Sequence, residues 1–301
     1  IMALTPLNVD RVKIVLNDTI VQGYSSVNMS LQNESFTAEN TSLNSHFRDL
    51  SKKSIPNLSF SKIASTYDFS TTILGDFMSR DTLTNVKVIS ESYGLQKIGV
   101  ECSEAAIDDI NISISSNEFI SLSYSCTADR VEKFSRKDLS ISEAPINYEV
   151  PQVSAVTGFE NNMMTSDMFD LSCSIPALEF VGKASLSISN KKSVIGGLIA
   201  PNKKIWTGSN IYTLRISVND INKFITQNPT EVAEASFTLK FYYDEDQVHE
   251  FITFQLDNCV LKEYSEGIGE KTSSEMNLTY VFVDSSRSAM TLTSPPSFSP
   301  I

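Results

Sequence analysis

Apolar and polar residues alternate with a period of two over much of the chain. In one run the apolar positions are Val27, Met29 and Leu31, and the polar positions between them are Ser26, Asn28 and Ser30. This period is typical of a β-strand with one buried face. The alternation returns at Asn57–Ser61 and Gly182–Ser189. The sequence therefore predicts a mainly β protein.

Two short segments carry apolar residues at helical spacing instead. Ser70–Ser79 opens with a serine cap, and Asp220–Asn228 opens with an aspartate cap and is followed by Pro229. Each pattern predicts a short amphipathic helix that covers one face of a sheet.

The second half of the chain repeats the first half in degenerate form. Asp109–Tyr124 reads as the end of a β-hairpin, and Cys259–Tyr280 is its copy. Each copy has a cysteine upstream of its closing tyrosine. From Cys102 to Tyr124 the first copy spans 22 residues (124 − 102), and from Cys259 to Tyr280 the second spans 21 (280 − 259). Gly23–Ser30 also matches Gly182–Ser189 without a gap. Chance similarity in a serine-rich chain is the other interpretation, but the shared order of elements favours duplication.

A length of 301 residues is typical of two domains of about 150 residues each. Between Ala128 and Asp167 the alternation is lost and prolines appear, which indicates a boundary. We therefore expect a first domain at 1–135, a linker at 136–167, a second domain at 168–285 and a Ser/Pro-rich tail at 286–301.

The net charge of −12 argues against a surface that grips phosphate. Four cysteines without CxxC spacing predict free, buried thiols, with disulfides and metal as the less favoured interpretations. The chain opens without a secretory pattern and has no apolar run of about 18 residues, so we expect no membrane insertion.

Candidate chemistry is sparse. His249 has no second histidine at helical spacing, and no nucleophile elbow, phosphate loop or dinucleotide motif occurs. The acidic pairs and triplets, such as Asp108–Asp109 and Asp244–Asp246, have no calcium-loop spacing and are interpreted as solvated turns or strand faces. We expect no catalytic residue, no metal ligand and no cofactor.

Small neutral polar side chains recur on one side of the predicted strands. Such a face is an ordinary solvent face, a wet and non-adhesive surface, or a surface that packs against another subunit. It carries few of the Lys and Glu residues that usually guard solvent-exposed sheets. The candidate residues for a non-adhesive face are Ser26, Asn28, Ser30, Ser59, Ser61, Ser185, Ser187 and Ser189.

Each copy also contains a long polar excursion between two strands. The first, Gln32–Pro56, has weak strand character, and the second, Asn190–Ser209, is basic and holds the single tryptophan. Segments of this length inside a domain are usually functional or disordered. Their candidate contact residues are Phe36, Leu43, Phe47, Leu50, Lys191, Lys192, Ile199, Lys203, Lys204 and Trp206.

The order of strand, strand, excursion, strand, short helix, strand, strand and hairpin resembles the tail-tube fold of long-tailed bacteriophages, which the type VI secretion tube protein shares. The resemblance covers nearly the whole chain, twice, and implies two tandem tail-tube-like β-barrel or sandwich domains. In that family subunits close into rings around a lumen, and the excursion contacts the adjacent ring. A duplicated chain implies trimers with pseudo-sixfold symmetry.

The resemblance further implies a structural subunit of the virion tail, assembled in the host cytoplasm and without catalysis. Its partners would be copies of itself and the tail sheath or other tail proteins, with genomic DNA as passing cargo that is not specifically bound. A tail hub or tail-tip protein of the baseplate is the alternative within the same assembly, and a β-rich surface or adhesion protein is the alternative outside it.

The charge distribution predicts which surface faces the lumen. A lysine-lined channel would retain DNA through counterion release, so short polar and acidic side chains are expected there. The lumen-face candidates are the residues named above for a non-adhesive face, from Ser26 to Ser189. The four lysines of the second excursion are then expected to face a neighbouring ring.

Overall fold

A computed structural model describes residues 11–16, 19–21, 24–38, 48–66, 84–91, 96–127, 130–138, 163–175, 182–195, 203–218, 233–267, 275–285 and 288–292. Side chains are described for part of these residues, chiefly 57–66, 107–127, 163–175, 182–190, 209–218, 233–265 and 276–291.

The prediction of a mainly β protein is confirmed, because 78% of the described residues lie in strands. A 3₁₀ turn occupies Ser166–Met168. The helices predicted at Ser70–Ser79 and Asp220–Asn228 lie outside the described residues. The strands are β1 Arg11–Leu16, β2 Thr19–Val21, β3 Tyr24–Ala38, β4 Arg48–Ile63, β5 Thr84–Glu91, β6 Gln96–Ser115, β7 Ser121–Thr127, β8 Arg130–Asp138, β9 Phe169–Cys173, β10 Lys183–Ile195, β11 Lys203–Val218, β12 Glu234–Tyr242, β13 Glu250–Gly267, β14 Glu275–Asp284 and β15 Met290–Leu292.

The chain divides into two compact units whose segments interleave. The first unit comprises 1–61, 81–107 and 125–155, and the second comprises 62–80, 108–124 and 156–301. Strand β6 therefore contributes its first part to one unit and its last part, from Asp108, to the other. The tandem division of the chain at 1–135 and 168–285 stays a prediction.

In the first unit β1 pairs with β2 and β5, and β5 pairs with β6. Strand β8 adds to the first part of β6, with Gln96 opposite Asp138. These strands are antiparallel, and β8 lies where the sequence predicts the start of the linker.

In the second unit the strand order is β6, β10, β11, β14, β13, β12 and β9, again antiparallel. Strand β15 pairs with β13 through Ile252 and Leu292. Strand β15 therefore lies inside the segment predicted as a tail. Between β14 and β15 the chain reverses, and there the buried carboxylate of Asp284 accepts a hydrogen bond from the Ala289 amide (3.0 Å).

Strand pairing reproduces the repeat seen in the sequence. The neighbour order β1, β5, β6, β7, β4, β3 in the first half matches β9, β12, β13, β14, β11, β10 in the second. The pairings of β5 with β6 and of β12 with β13 each have a register shift near the start of the first strand, between Thr84 and Val86 and between Ala235 and Phe237. The two cysteines lie on opposite sides of these shifts, because Cys102 stands opposite Val86 and Cys259 opposite Ala235. The described strands of the two halves therefore share one order of neighbours but differ in detailed register.

An aromatic core lies on the buried side of the second unit. The Phe237 and Tyr280 rings are 4.8 Å apart, and Phe254 contacts both Phe241 and Tyr212. The side chains of Phe237, Phe254 and Tyr280 are completely buried. Alternate burial along β12 follows from the period-two pattern, because successive strand residues point to opposite faces.

Of the cysteines that the structure describes, Cys126, Cys173 and Cys259 form no disulfide. Cys126 and Cys259 are buried as predicted, whereas Cys173 is half-buried. Burial raises the pKa of Cys259 to about 12, so it stays a protonated, unreactive thiol at neutral pH. The side chain of Cys102 is outside the described set.

Candidate functional site

A continuous polar surface covers the side of the second unit's sheet opposite the buried apolar residues. We call it the polar face. On β6, β7, β10, β11 and β14 its small polar residues are Asn111, Ser113, Ser115, Ser121, Ser123, Ser185, Ser187, Ser189, Thr213, Ser217, Asn277 and Thr279. Of these, Ser217 and Thr279 are buried.

Cross-strand register places these residues in rows. Ser185 stands opposite Ser113 on β6 and Arg215 on β11, and Arg215 stands opposite Thr279 on β14. In the next row Ser187 lies between Asn111 and Thr213. The intervening residues on the same strands, such as Ile112 and Leu186, are fully buried. One side of the sheet therefore packs into the apolar core, and the other side carries hydroxyl and amide groups.

Hydrogen bonds run laterally along the polar face. The Ser185 hydroxyl donates to Asn111 Oδ1 at 2.8 Å, and Asn111 Nδ2 donates to Ser113 Oγ at 3.1 Å. These contacts occupy polar atoms that would otherwise be offered to a passing ligand. These two hydrogen bonds therefore link Asn111, Ser113 and Ser185 to one another.

The residues that the sequence analysis named as candidates for a non-adhesive face fall into three groups. Ser185, Ser187 and Ser189 lie on the polar face and are half-buried. Ser59 and Ser61 lie on the side of β4 opposite buried Phe60 and Lys62, and β4 pairs with β7. Ser26, Asn28 and Ser30 lie in β3, which pairs with β4, and their side chains are outside the described set.

Four residues with charged side chains also lie on or beside this face. Asp109 stands opposite Ser189, and Glu263 stands opposite Thr279. Lys183 and Arg215 are both exposed on β10 and β11. The sequence-based expectation of short polar and acidic side chains did not include these two cations. The sequence could have predicted the position of Arg215, because it is two residues from both Thr213 and Ser217 and therefore lies on the same side of β11.

Two strand stretches, one in each copy, have one partner each among the described strands. The last part of β6 pairs with β10, from Asp109 opposite Ser189 to Ser115 opposite Lys183. Its counterpart in the second copy is the end of β13, where Leu261 donates its amide to the Ala233 carbonyl and pairing with β12 stops. Among the described strands, Lys262–Gly267 pairs with β14 alone and β3 pairs with β4 alone.

Both excursions contain paired strands. Beyond the bulge after Asn190, β10 and β11 continue as a two-stranded arm in which Lys192 stands opposite Trp206 and Val194 opposite Lys204. The first excursion, despite its weak strand character, is strand up to Ala38 and again from Arg48.

The candidate contact residues of these arms are placed by backbone only. Phe36 lies in β3, Leu50 in β4, Lys191 and Lys192 in β10, and Lys203, Lys204 and Trp206 in β11. Leu43, Phe47 and Ile199 lie outside the described residues.

The loop between β12 and β13 concentrates the other polar contacts. Burial alone would raise the pKa of Asp244, but hydrogen bonds from His249 and from the Val248 amide hold it below its usual range. Lys240 donates to Glu250 at 2.8 Å, and this bond raises the lysine pKa. Asp244 and His249 thus pair with each other within the loop, and Lys240 of β12 pairs with Glu250 of β13 beside it. Among the described residues no three His, Cys, Asp or Glu side chains are grouped to hold a metal ion.

Comparison of the chain with models of protein families and with characterised proteins found no match. Within the described residues, no helix has the length and apolar character needed to cross a membrane.

Proposed function

We propose that the chain is a structural subunit of a bacteriophage tail tube, and that three copies form each ring of a DNA conduit. The observation that carries this proposal is the junction of β6 with β10. There the last part of β6, at the edge of the first repeat, pairs with β10, which forms the first hairpin of the second repeat together with β11. Among the described strands, the corresponding stretch at the end of β13 pairs with β14 alone, and β3 pairs with β4 alone.

The edges of β13 and β3 are complementary because, in the repeat, they correspond to the paired strands β6 and β10. Strand β3 corresponds to β10, since Gly23–Ser30 matches Gly182–Ser189, and β13 corresponds to β6. A second copy of the chain can therefore offer its β3 to the β13 edge, repeating the internal contact between subunits. Such a head-to-tail contact generates a closed ring when the rotation closes.

Three chains supply six repeats, and repetition of the junction would continue the polar face around the ring. A wall of serine, threonine and asparagine hydroxyls and amides suits a conduit for a polyanion, because it stays hydrated and offers few fixed cations. The arms at Lys191–Ile195 and Lys203–Ser209 then extend from the ring toward its neighbours. Assembly in the host cytoplasm, a virion-tail location, contacts with the tail sheath or other tail proteins and DNA as unselected cargo belong to the same proposal.

Image reconstruction of purified assemblies tests the ring directly. We expect three chains per ring with two alternating interface types, because the two repeats differ in sequence. Six chains per ring, or a monomer at all concentrations, would contradict the proposal. A tail hub or tip protein would form one ring only, so the copy number per virion separates it from a tube.

The arm lysines provide a second test. Replacing Lys191, Lys192, Lys203 and Lys204 with glutamate should leave the chain folded and raise the critical concentration for polymerisation at least about tenfold. Exposed ion pairs contribute about 0.2–1 kcal/mol each, so four reversals accumulate to this size. The matched glutamine variant should show a smaller effect, and high salt should weaken stacking of the wild type. Normal assembly of the glutamate variant would mean that the lysines do not contact an adjacent ring.

A further inference from the structure

Two cations stand together on a face that otherwise carries almost no charge. Lys183 pairs with Ser217 and Arg215 pairs with Ser185, so the two side chains are diagonal neighbours on β10 and β11. Diagonal neighbours on one face of antiparallel strands are about 7 Å apart. Both side chains are exposed. Their charges therefore act on the same small area.

Hydroxyl groups, and no carboxylate, occupy the adjoining positions. Lys183 lies between Ser115 and Ser217, and Arg215 lies between Ser185 and Thr279. The carboxylate nearest in register is Glu263, two strands away from Arg215. The ion pairs found in the described part of the chain involve Lys240 and His249 and neither of these two cations. The pair is thus available to an external anion.

We propose that Lys183 and Arg215 form a phosphate contact for the backbone of double-stranded DNA, a role that rests on the proposed function of the polar face as the wall of a conduit. Arginine presents a planar fork of donors to phosphate, and lysine adds a point charge. The half-buried hydroxyl of Ser115, opposite Lys183, can donate to a remaining phosphate oxygen. Such contacts read no sequence.

The contact is confined to the second repeat. Tyr24 occupies the position that matches Lys183, and β4, the counterpart of β11, carries Ser59 and Ser61 on its polar side. A ring of three chains therefore has three contacts rather than six. Three widely spaced contacts position a duplex within the lumen while leaving most of the wall neutral, so DNA can still move along it.

Binding of a short labelled DNA duplex to the isolated full-length chain tests this contact as a function of salt. Each neutralised phosphate contributes about 0.9 to the slope of log affinity against log salt. We expect the K183Q/R215Q double variant to flatten that slope by about 2 and to bind about tenfold more weakly at low salt. The control is K240Q, which removes one positive charge from β12, away from the polar face.

Three results would overturn the proposal: an unchanged slope in the double variant, an equal loss in K240Q, or competition by polyglutamate as strong as that by unlabelled duplex. The last result would assign the pair to an acidic polypeptide instead. Because the assay uses single chains, it is independent of ring formation. Image reconstruction measures ring formation separately, so failure of one proposal is distinguishable from failure of the other.

Discussion

Replacing Glu266 with proline should strongly weaken ring assembly while the isolated chain stays folded. Glu266 stands opposite Met276 near the end of β13, on the stretch that pairs with β14 alone among the described strands. Leu261, on the core side of β13, directs its amide to Ala233 and away from β14. After the register shift at Lys262 the same backbone parity falls on Glu266, whose partner Met276 is buried, so its amide also points away from β14.

Proline removes this donor and places a ring where a neighbouring strand must approach. The loss of one ladder hydrogen bond and its stranded acceptor costs about 2 kcal/mol, or roughly a 30-fold higher concentration for assembly. Steric exclusion by the ring adds to this. Analytical ultracentrifugation across a concentration series measures the change.

The control for this variant is Glu266→Ala, which removes the side chain but keeps the backbone amide. It should assemble nearly as the wild type does. If the alanine and proline variants fail equally, the glutamate side chain and not the strand edge carries the contact. If both assemble normally, the ring closes elsewhere.

The Phe237→Ala variant should lose about 3–5 kcal/mol of the free energy of unfolding. Phe237 is completely buried, and its ring packs edge-on against Tyr280 at 4.8 Å. Truncation removes the transfer free energy of the ring and leaves a cavity that the flanking strands cannot fill, since β12 is held between β13 and β9. Denaturant unfolding followed by circular dichroism gives the value.

A neighbouring residue supplies the matched comparison. Thr238 lies on the opposite side of β12, half-buried, where its hydroxyl donates to Gln255 at 2.8 Å. Thr238→Ala should cost no more than about 1 kcal/mol. Equal losses in the two variants would show that Phe237 is not part of the cooperative core.

Local alternation predicts strands and their buried sides, because both depend only on successive residues. The strand expected at Gly182–Ser189 is β10, with Leu186 and Ile188 buried and the serines on the other side. Alternation does not specify which strands become neighbours. The pairing of β6 with β10 joins residues far apart in sequence, and nothing within either strand distinguishes that partner from another.

Irregular segments are harder to predict for a related reason. Met164, inside the segment read as a linker, exchanges backbone hydrogen bonds with Ala64 and Ile120 and is fully buried. A single residue that fits between two others carries no periodicity. Strand β4 likewise contains Lys52, Lys53 and Pro56, which lower local strand propensity, yet it forms a ladder because β3 pairs with it.

The long separation between β6 and β10 also matters during translation. Ser115 precedes its partner Lys183 by 68 residues (183 − 115), and Asp109 precedes Ser189 by 80 (189 − 109). At roughly 5–20 residues per second, a ribosome exposes the edge of β6 for about 3 to 16 s before β10 emerges. Nascent chains on one messenger could join through such an edge. One side of β6 carries the polar residues Asp109, Asn111 and Ser113. This side stays hydrated until β10 has been synthesised and can pair with the edge.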